Sequence, residues 1–124
     1  MDTHTFIWWV SSPEKLSENA LAAYENRENS LFLSFASIWE MQIKVQIGKL
    51  RLPLHLKELV EEQKSVNDLR ILPISLSHIY RLENLPIHHK DPFDRMLISQ
   101  SIEENLLLVS KDSVFADYEV NVLW

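Results

Sequence analysis

No cysteine occurs in the chain, and glycine occurs once, at Gly48. The first absence excludes disulfides, Cys-ligated zinc and iron–sulfur clusters, and it is compatible with a reducing compartment. The second excludes more. Phosphate-cradling loops and dinucleotide fingerprints need several glycines close together, so neither a P-loop nor a dinucleotide-binding Rossmann site is available. Long apolar runs are missing too, with nothing near the roughly 20 residues of a membrane span. The chain opens Met1-Asp2 with no basic segment, so no secretory signal is read there and a cytoplasmic protein is expected. Positive charge is scarce. Twelve Lys and Arg against 18 Asp and Glu give a net charge of −6, which argues against broad attraction to nucleic acid. An enzyme whose acids hold a metal ion and whose basic residues act locally stays possible.

What is present is the balance of a folded protein: 124 residues, 46% apolar and 24% charged, enough for one domain with a single core. Residues 1–10 read as a short helix capped by Asp2 or Thr3, and 13–26 as an amphipathic helix with Leu16, Ala20, Leu21 and Tyr24 inward. Residues 30–35 form a nearly continuous apolar run, as a buried parallel strand does. The helix after it carries Ile38, Trp39, Met41, Ile43, Val45 and Ile47 and stops at Gly48. Within it, Ser37-Ile38-Trp39-Glu40 has capping-box spacing. Glu40 and Lys44 stand four apart, an ion-pair arrangement worth about 0.3–0.5 kcal/mol.

A helix over 54–67, a strand over 69–74 and a helix over 75–85 come next, the last with Leu76, Ile79, Tyr80 and Leu82 inward. The stretch 88–100 then sets Asp91 and Asp94 three apart at the mouth of a helix. Pro92 suits the first helical position, and Phe93, Met96, Leu97, Ile98 and Ile102 follow at helical spacing. Leu106-Leu107-Leu108-Val109-Ser110 is the clearest buried strand; a short helix over 113–118 and a last strand over 120–124 end the chain. Strands alternating with helices predict an α/β fold whose parallel sheet is covered on both faces.

Open α/β sheets place function beyond the carboxyl ends of their strands. Asp2, Glu40 and Asp112 fall in such places, and Asp94 opens the helix that leads into the strongest strand. Each has a plainer reading as a helix cap. Four carboxylates gathered in one cleft repel one another unless a cation sits between them. Oxygen ligands alone suit Mg²⁺ or Mn²⁺, and such a site polarises a phosphodiester and activates water.

The motifs Asp2-Thr3-His4, Ser37-Ile38-Trp39-Glu40, His88-His89-Lys90-Asp91-Pro92-Phe93-Asp94-Arg95-Met96-Leu97-Ile98 and Ser110-Lys111-Asp112 occur in that order. With the ending Tyr118-Glu119-Val120-Asn121-Val122-Leu123-Trp124, they resemble the PIN-domain family over nearly the whole chain. Within it, they resemble the VapC-type toxin ribonucleases of bacterial toxin–antitoxin pairs. The resemblance implies a single PIN domain over 1–124, with a three-layer α/β/α fold. Its central, mostly parallel sheet would have about four to five short strands. It further implies endonucleolytic cleavage of RNA with Mg²⁺ or Mn²⁺, a homodimer, and a cognate antitoxin as partner. The family's four acids match Asp2, Glu40, Asp94 and Asp112, which are thereby the expected catalytic and metal-binding residues. In the family several hydrophobic residues precede the first acid and form the central strand. Here Met1 alone does, so a truncated first strand is expected.

Other residues receive plainer roles. Asp91 is the N-cap that sets where its helix starts, and Ser110 caps the next helix or bonds a water at the site. His88 and His89 read as surface loop residues outside the ligand set. Lys90, Arg95 and Lys111 supply local phosphate contacts or a solvated rim. The four tryptophans, Trp8, Trp9, Trp39 and Trp124, read as core or interface. Two rival classes stand against the nuclease. A catalytically inactive PIN-like interaction protein would keep the fold and use the acids as caps. A phosphoacceptor receiver domain needs adjacent acids after its first strand and a placed lysine after its last, and the sequence has neither.

Overall fold

Side chains that accept hydrogen bonds from exposed backbone N–H groups decide where most of the helices begin. The computed structural model describes residues 1–124. Asp2 caps α1 (Thr3–Ser11), Ser17 caps α2 (Glu18–Glu25) and Ser34 caps α3 (Phe35–Gln46). Ser75 caps α5 (Leu76–Arg81) and Asp91 caps α6 (Pro92–Glu103); only α4 (Leu56–Asn67) starts without a side-chain cap. Short 3₁₀ turns at Pro13–Lys15, Leu82–Asn84 and Ser113–Asp117 complete the helical part. The helix expected over 13–26 is therefore two pieces, because the Ser17 cap restarts it.

Ser34 rather than Ser37 opens α3, so the capping box expected at Ser37–Glu40 does not form. Ser37 is buried with an unpartnered hydroxyl, and Glu40 is held by other groups. A capping box does occur in α5, where His78 Nδ1 accepts from the Ser75 N–H at 3.0 Å. That helix is rotated from expectation. Leu76, Ile79 and Tyr80 face solvent, while His78 is buried and its Nε2 lies 2.8 Å from Glu104 Oε1.

Left-handed backbone is needed at three places outside the helices. Gly48 takes one (φ 74°), and Asp68 and Asn105 take the others (φ 53° and 52°). A chain with one glycine falls back on the residue types that tolerate this region best after glycine.

The strands are short: β1 (Phe32–Ser34), β2 (Arg70–Leu72), β3 (Leu108–Val109) and β4 (Val122–Leu123). β1 pairs in parallel with β2, Leu33 opposite Ile71, and β3 pairs in parallel with β4, Val109 opposite Leu123. The result is two separate two-stranded sheets rather than one continuous sheet. Met1 and Asp2 stand between them. The Met1 amine donates to the Phe32 carbonyl at 3.4 Å, and the Asp2 N–H donates to the Val109 carbonyl at 3.1 Å. The truncated first strand is thus reduced to two residues that bridge the halves.

Burial follows the same division. One cluster joins Leu97 and Ile98 of α6 to Leu108, Phe115 and Tyr118. A second gathers Phe6, Leu33, Met41, Leu59 and Leu69, and a third Leu16, Ala20, Tyr24 and Val109. Met1, Trp9 and Leu31 touch both the second and the third. Helix α6 packs against α3 and α5. Its buried polar residues are satisfied: Gln100 accepts from the Ser34 hydroxyl and donates to the Pro73 carbonyl, and Ser99 donates to the His78 carbonyl. No helix is long and apolar enough to cross a membrane.

The position of Met1 has a measurable consequence. Burial lowers its amine from 8.0 to about 6, against the opposing pull of the Asp2 charge. Between those values the unfolded chain binds more protons than the folded one, so stability rises with pH across the window. Chemical denaturation at pH 6 and pH 8 is expected to show a gain of about 2 kcal/mol from this group. The Nα-acetylated protein is expected to lack that gain; equal pH dependence in both forms would show that the amine is not buried.

Candidate metal centre

The first acid is also the first helix cap. One oxygen of Asp2, Oδ1, accepts from the Thr5 N–H at 2.9 Å and from the Thr5 hydroxyl. The other, Oδ2, accepts from the Ser110 hydroxyl at 2.6 Å. The residue is only 5% exposed, so this carboxylate is held almost without solvent. Ser110 also accepts from the Asp112 N–H at 3.0 Å, joining the first acid to the fourth. Asp112 itself is exposed and caps the 3₁₀ turn after β3 by accepting from the Val114 N–H at 3.0 Å. Asp2 and Asp112 line one surface cavity together with His4, Thr5, Trp8 and Lys111. The Lys111 ammonium lies 6.0 Å from the centre of the Trp8 ring.

Glu40 reaches the same neighbourhood from α3. Its Oε1 accepts from the Thr3 hydroxyl at 2.6 Å, one residue after Asp2, and its Oε2 pairs with Lys44 at 3.0 Å. The expected i,i+4 pair is therefore present, and Glu40 is among the buried charged residues. Trp39 precedes Glu40 and Phe93 precedes Asp94, and their rings meet edge to face at 5.3 Å. That contact fixes the start of α6 against α3. Trp39 is otherwise 61% exposed, not a core residue.

Asp94 sits in the first turn of α6, its N–H donating to Asp91 Oδ1 at 3.0 Å, so Asp91 is the cap that the sequence indicated. Burial raises the Asp94 carboxyl above its ordinary range. The His89 hydrogen bond opposes that shift, while the charges of Asp91 and Glu40 add to it. Of the four acids, only Glu40 has a lysine or arginine partner.

His89 departs from expectation. Its Nε2 lies 2.8 Å from Asp94 Oδ2, and His89, Asp91 and Asp94 present ligand atoms that all lie within 4.8 Å of one another. This is the one such group of acids and histidines in the fold. The four expected acids do not close to that spacing together; they are linked as Asp2–Ser110–Asp112, as Asp2-Thr3 to Glu40, and as Glu40 to Asp94 through charge. The His89 contact had a sequence signal, a histidine five residues before an acid across a proline-started helix, but the loop between them hides its direction. His88 instead meets the Tyr118 ring edge-on at 5.1 Å.

Arg95 is not a free phosphate contact either. Its guanidinium donates to the Pro86 carbonyl at 2.8 Å and also reaches the Leu82 and Leu85 carbonyls and the Tyr118 hydroxyl. It is spent on tying the loop before α6 to the body of the fold.

The donor set fits a hard divalent cation. Four carboxylates offer oxygen ligands, and of these Asp94 is disfavoured as an anion chiefly by burial, with the neighbouring acids adding to the shift. The comparisons with known proteins agree with this chemistry. The chain matches the PIN domain over residues 1–121. It is 28% identical over 113 residues to "Ribonuclease VapC22" of Mycobacterium tuberculosis, an alignment covering 90% of this chain and 85% of that protein. Acids at the strand ends, an Asp-led α6 and a match spanning almost every residue lead to one assignment: the chain belongs to the PIN-domain family, whose fold is a three-layer α/β/α arrangement.

Proposed function

We propose that this chain is an endoribonuclease dependent on Mg²⁺ or Mn²⁺, with residues 1–124 acting as one PIN domain. Asp2, Glu40 and Asp94 would hold the ion, with Asp112 assisting from the rim. The observation that carries this reading is the pair of hydroxyl-held carboxylates, Ser110–Asp2 and Thr3–Glu40, with the Asp112 backbone tied to the same Ser110 hydroxyl, beside an Asp94 whose ionised form burial disfavours. A bound divalent cation supplies Lewis-acid polarisation of a phosphate oxygen and lowers the pKa of water. The residues do the rest. The Ser110 and Thr5 hydroxyls fix both oxygens of Asp2, and Thr3 and Lys44 fix those of Glu40, so the site is organised before substrate arrives. Asp112, exposed at the rim, would orient the water whose oxygen bonds to phosphorus as the P–O bond to the leaving ribose oxygen breaks and that oxygen takes up a proton. Lys111 beside it offers the incoming backbone a positive charge.

The similarity to a protein named as a VapC ribonuclease supports a toxin role, with RNA as substrate and a cognate antitoxin as partner, in the cytoplasm. Leu76, Ile79 and Tyr80 form an outward apolar face on α5, which supports a homodimer. Sedimentation that finds only monomer removes the dimer from this reading.

Labelled RNA incubated with the protein and Mn²⁺ or Mg²⁺ is expected to be cut internally, and EDTA is expected to stop it. Asp94→Asn is expected to lose activity by about 100-fold or more, since even residues behind the ligands carry losses of that size. The same change is expected to leave the metal-free protein as stable or more stable, because a carboxylate disfavoured by burial and like charge has been neutralised. Mn²⁺ should raise the melting temperature of the wild type and not of the variant. Equal cleavage by both proteins would end the nuclease reading.

Ser110→Ala removes the hydroxyl shared by Asp2 and Asp112. Mn²⁺ affinity, measured by calorimetry, is expected to fall about 10-fold or more while the fold is kept. Unchanged affinity would take Asp2 out of the ligand set.

A further inference from the structure

One aromatic ring stands beside the carboxylates and takes no part in holding them. Asp2, His4, Thr5, Trp8, Lys111 and Asp112 line a surface cavity of about 240 Å³, and Trp8 is the one hydrophobic residue among them. Its place follows from α1. His4 and Trp8 are one helical turn apart on the same face, and side chains on a helix lean toward its N-terminus. The indole is thereby carried back toward the turn that Asp2 caps.

The ring is braced from behind. It packs against the cluster of Leu16, Ala20, Tyr24 and Val109, and the Trp124 ring meets it at 5.9 Å, tilted by 57°. Its neighbours in the cavity are His4, with ring centres 6.1 Å apart, and the Lys111 ammonium, 6.0 Å from the ring centre. Both side chains are exposed and neither is in an ion pair, so both are free to move aside. An aromatic ring fixed by the core and bordered by movable polar side chains is a platform for stacking.

Charge decides what can lie on it. The chain carries a net −6 and the cavity wall includes two carboxylates, so a phosphate set on the ring would be repelled. A nucleobase is neutral and has a π face, so the acids do not oppose it. Lys44 is paired with Glu40 and Arg95 is bound to loop carbonyls, which leaves Lys111 as the cation of this cavity. One lysine supplies little of the electrostatic affinity on which nucleic-acid binding generally draws, and stacking is the source that remains. A peptide segment would need partners for backbone groups along its length, and a cavity of six residues with one apolar ring serves a single flat group better. In a duplex the bases cover one another's faces, so the base must be unpaired.

We propose that Trp8 is the stacking platform for one unpaired nucleobase, adjacent to the phosphate that lies at Asp2 and Asp112, with Lys111 meeting the neighbouring phosphate. The ring selects single-stranded over duplex RNA and holds the strand in register with the acids. Trp8 binds substrate and takes no part in the chemistry. The identity of the strand as RNA rests on the nuclease reading; the stacking itself does not.

Neutral adenosine, with ribose as control, tests the platform without metal, phosphate or cleavage. The indole N–H resonance of Trp8, identified by its loss in Trp8→Phe, is expected to shift saturably with adenosine and to stay fixed with ribose. An unmoved Trp8 resonance would overturn the proposal whatever the cleavage assay shows. If adenosine shifts Trp8 while no RNA is cut, the nuclease reading falls and the platform stands. In cleavage of single-stranded RNA with Mn²⁺, Trp8→Leu is expected to raise KM roughly 10-fold or more with kcat unchanged, and Trp8→Phe to recover most of the loss. Leucine keeps apolar bulk and removes the π face. A KM equal to that of the wild type in Trp8→Leu would overturn the proposal. A rise shared equally by both variants, or one accompanied by altered sedimentation, would make the ring a packing or subunit contact and overturn it as well.

Discussion

The buried carboxylate of Asp2 is the joint on which the molecule turns. Its backbone N–H reaches β3, the residue before it reaches β1, and its side chain caps α1 and takes the Ser110 hydroxyl. A carboxylate so enclosed is tolerated because every oxygen has donors, and charge-assisted hydrogen bonds are the strong ones. The same donors fix its orientation. The backbone of Met1 and Asp2 therefore bridges the half-sheets, while the Asp2 side chain starts the first helix and ties it to Ser110. Little slack is left for any of these tasks to change without the others.

From that joint the remaining acids are reached in short steps. Ser110 leads to Asp112, Thr3 leads to Glu40, and the Trp39–Phe93 contact brings the mouth of α6 beside α3. The cost is visible at Asp94, where burial and the neighbouring charges of Asp91 and Glu40 work against ionisation. In the proposed reading a cation there would relieve a repulsion that the fold otherwise carries itself. His89 takes up part of that burden by hydrogen bonding Asp94. That hydrogen bond gives a loop histidine a place beside the acids.

Much of this was legible in the sequence, and the reasons differ from residue to residue. Asp91 as cap, Asp94 in the first turn, and the Glu40–Lys44 pair follow from spacing along one helix, where 3.6 residues per turn leaves few choices. The family and its layered fold follow from motif order over the whole chain. Long-range partners were not legible. Nothing local says that Thr3 will hold Glu40, that Ser110 will bridge two acids, or that Arg95 will be used up on loop carbonyls. The outward turn of α5 was hidden for another reason. Leu76, Ile79 and Tyr80 share an apolar face that reads as core, yet the fold buries His78 because Ser75 and Glu104 satisfy both its nitrogens. The split sheet also lay beyond pattern, since two residues of bridge carry no periodicity to read.

The central claim is that Asp2, Glu40 and Asp94 share one metal ion. Crystals soaked in Mn²⁺ and measured for anomalous scattering test it most directly. The account predicts a single strong peak with carboxylate oxygens of all three residues about 2.2 Å away, near the usual metal–oxygen distance. A peak held by His89, Asp91 and Asp94 with Asp2 and Glu40 out of reach would contradict it, as would no peak at these acids.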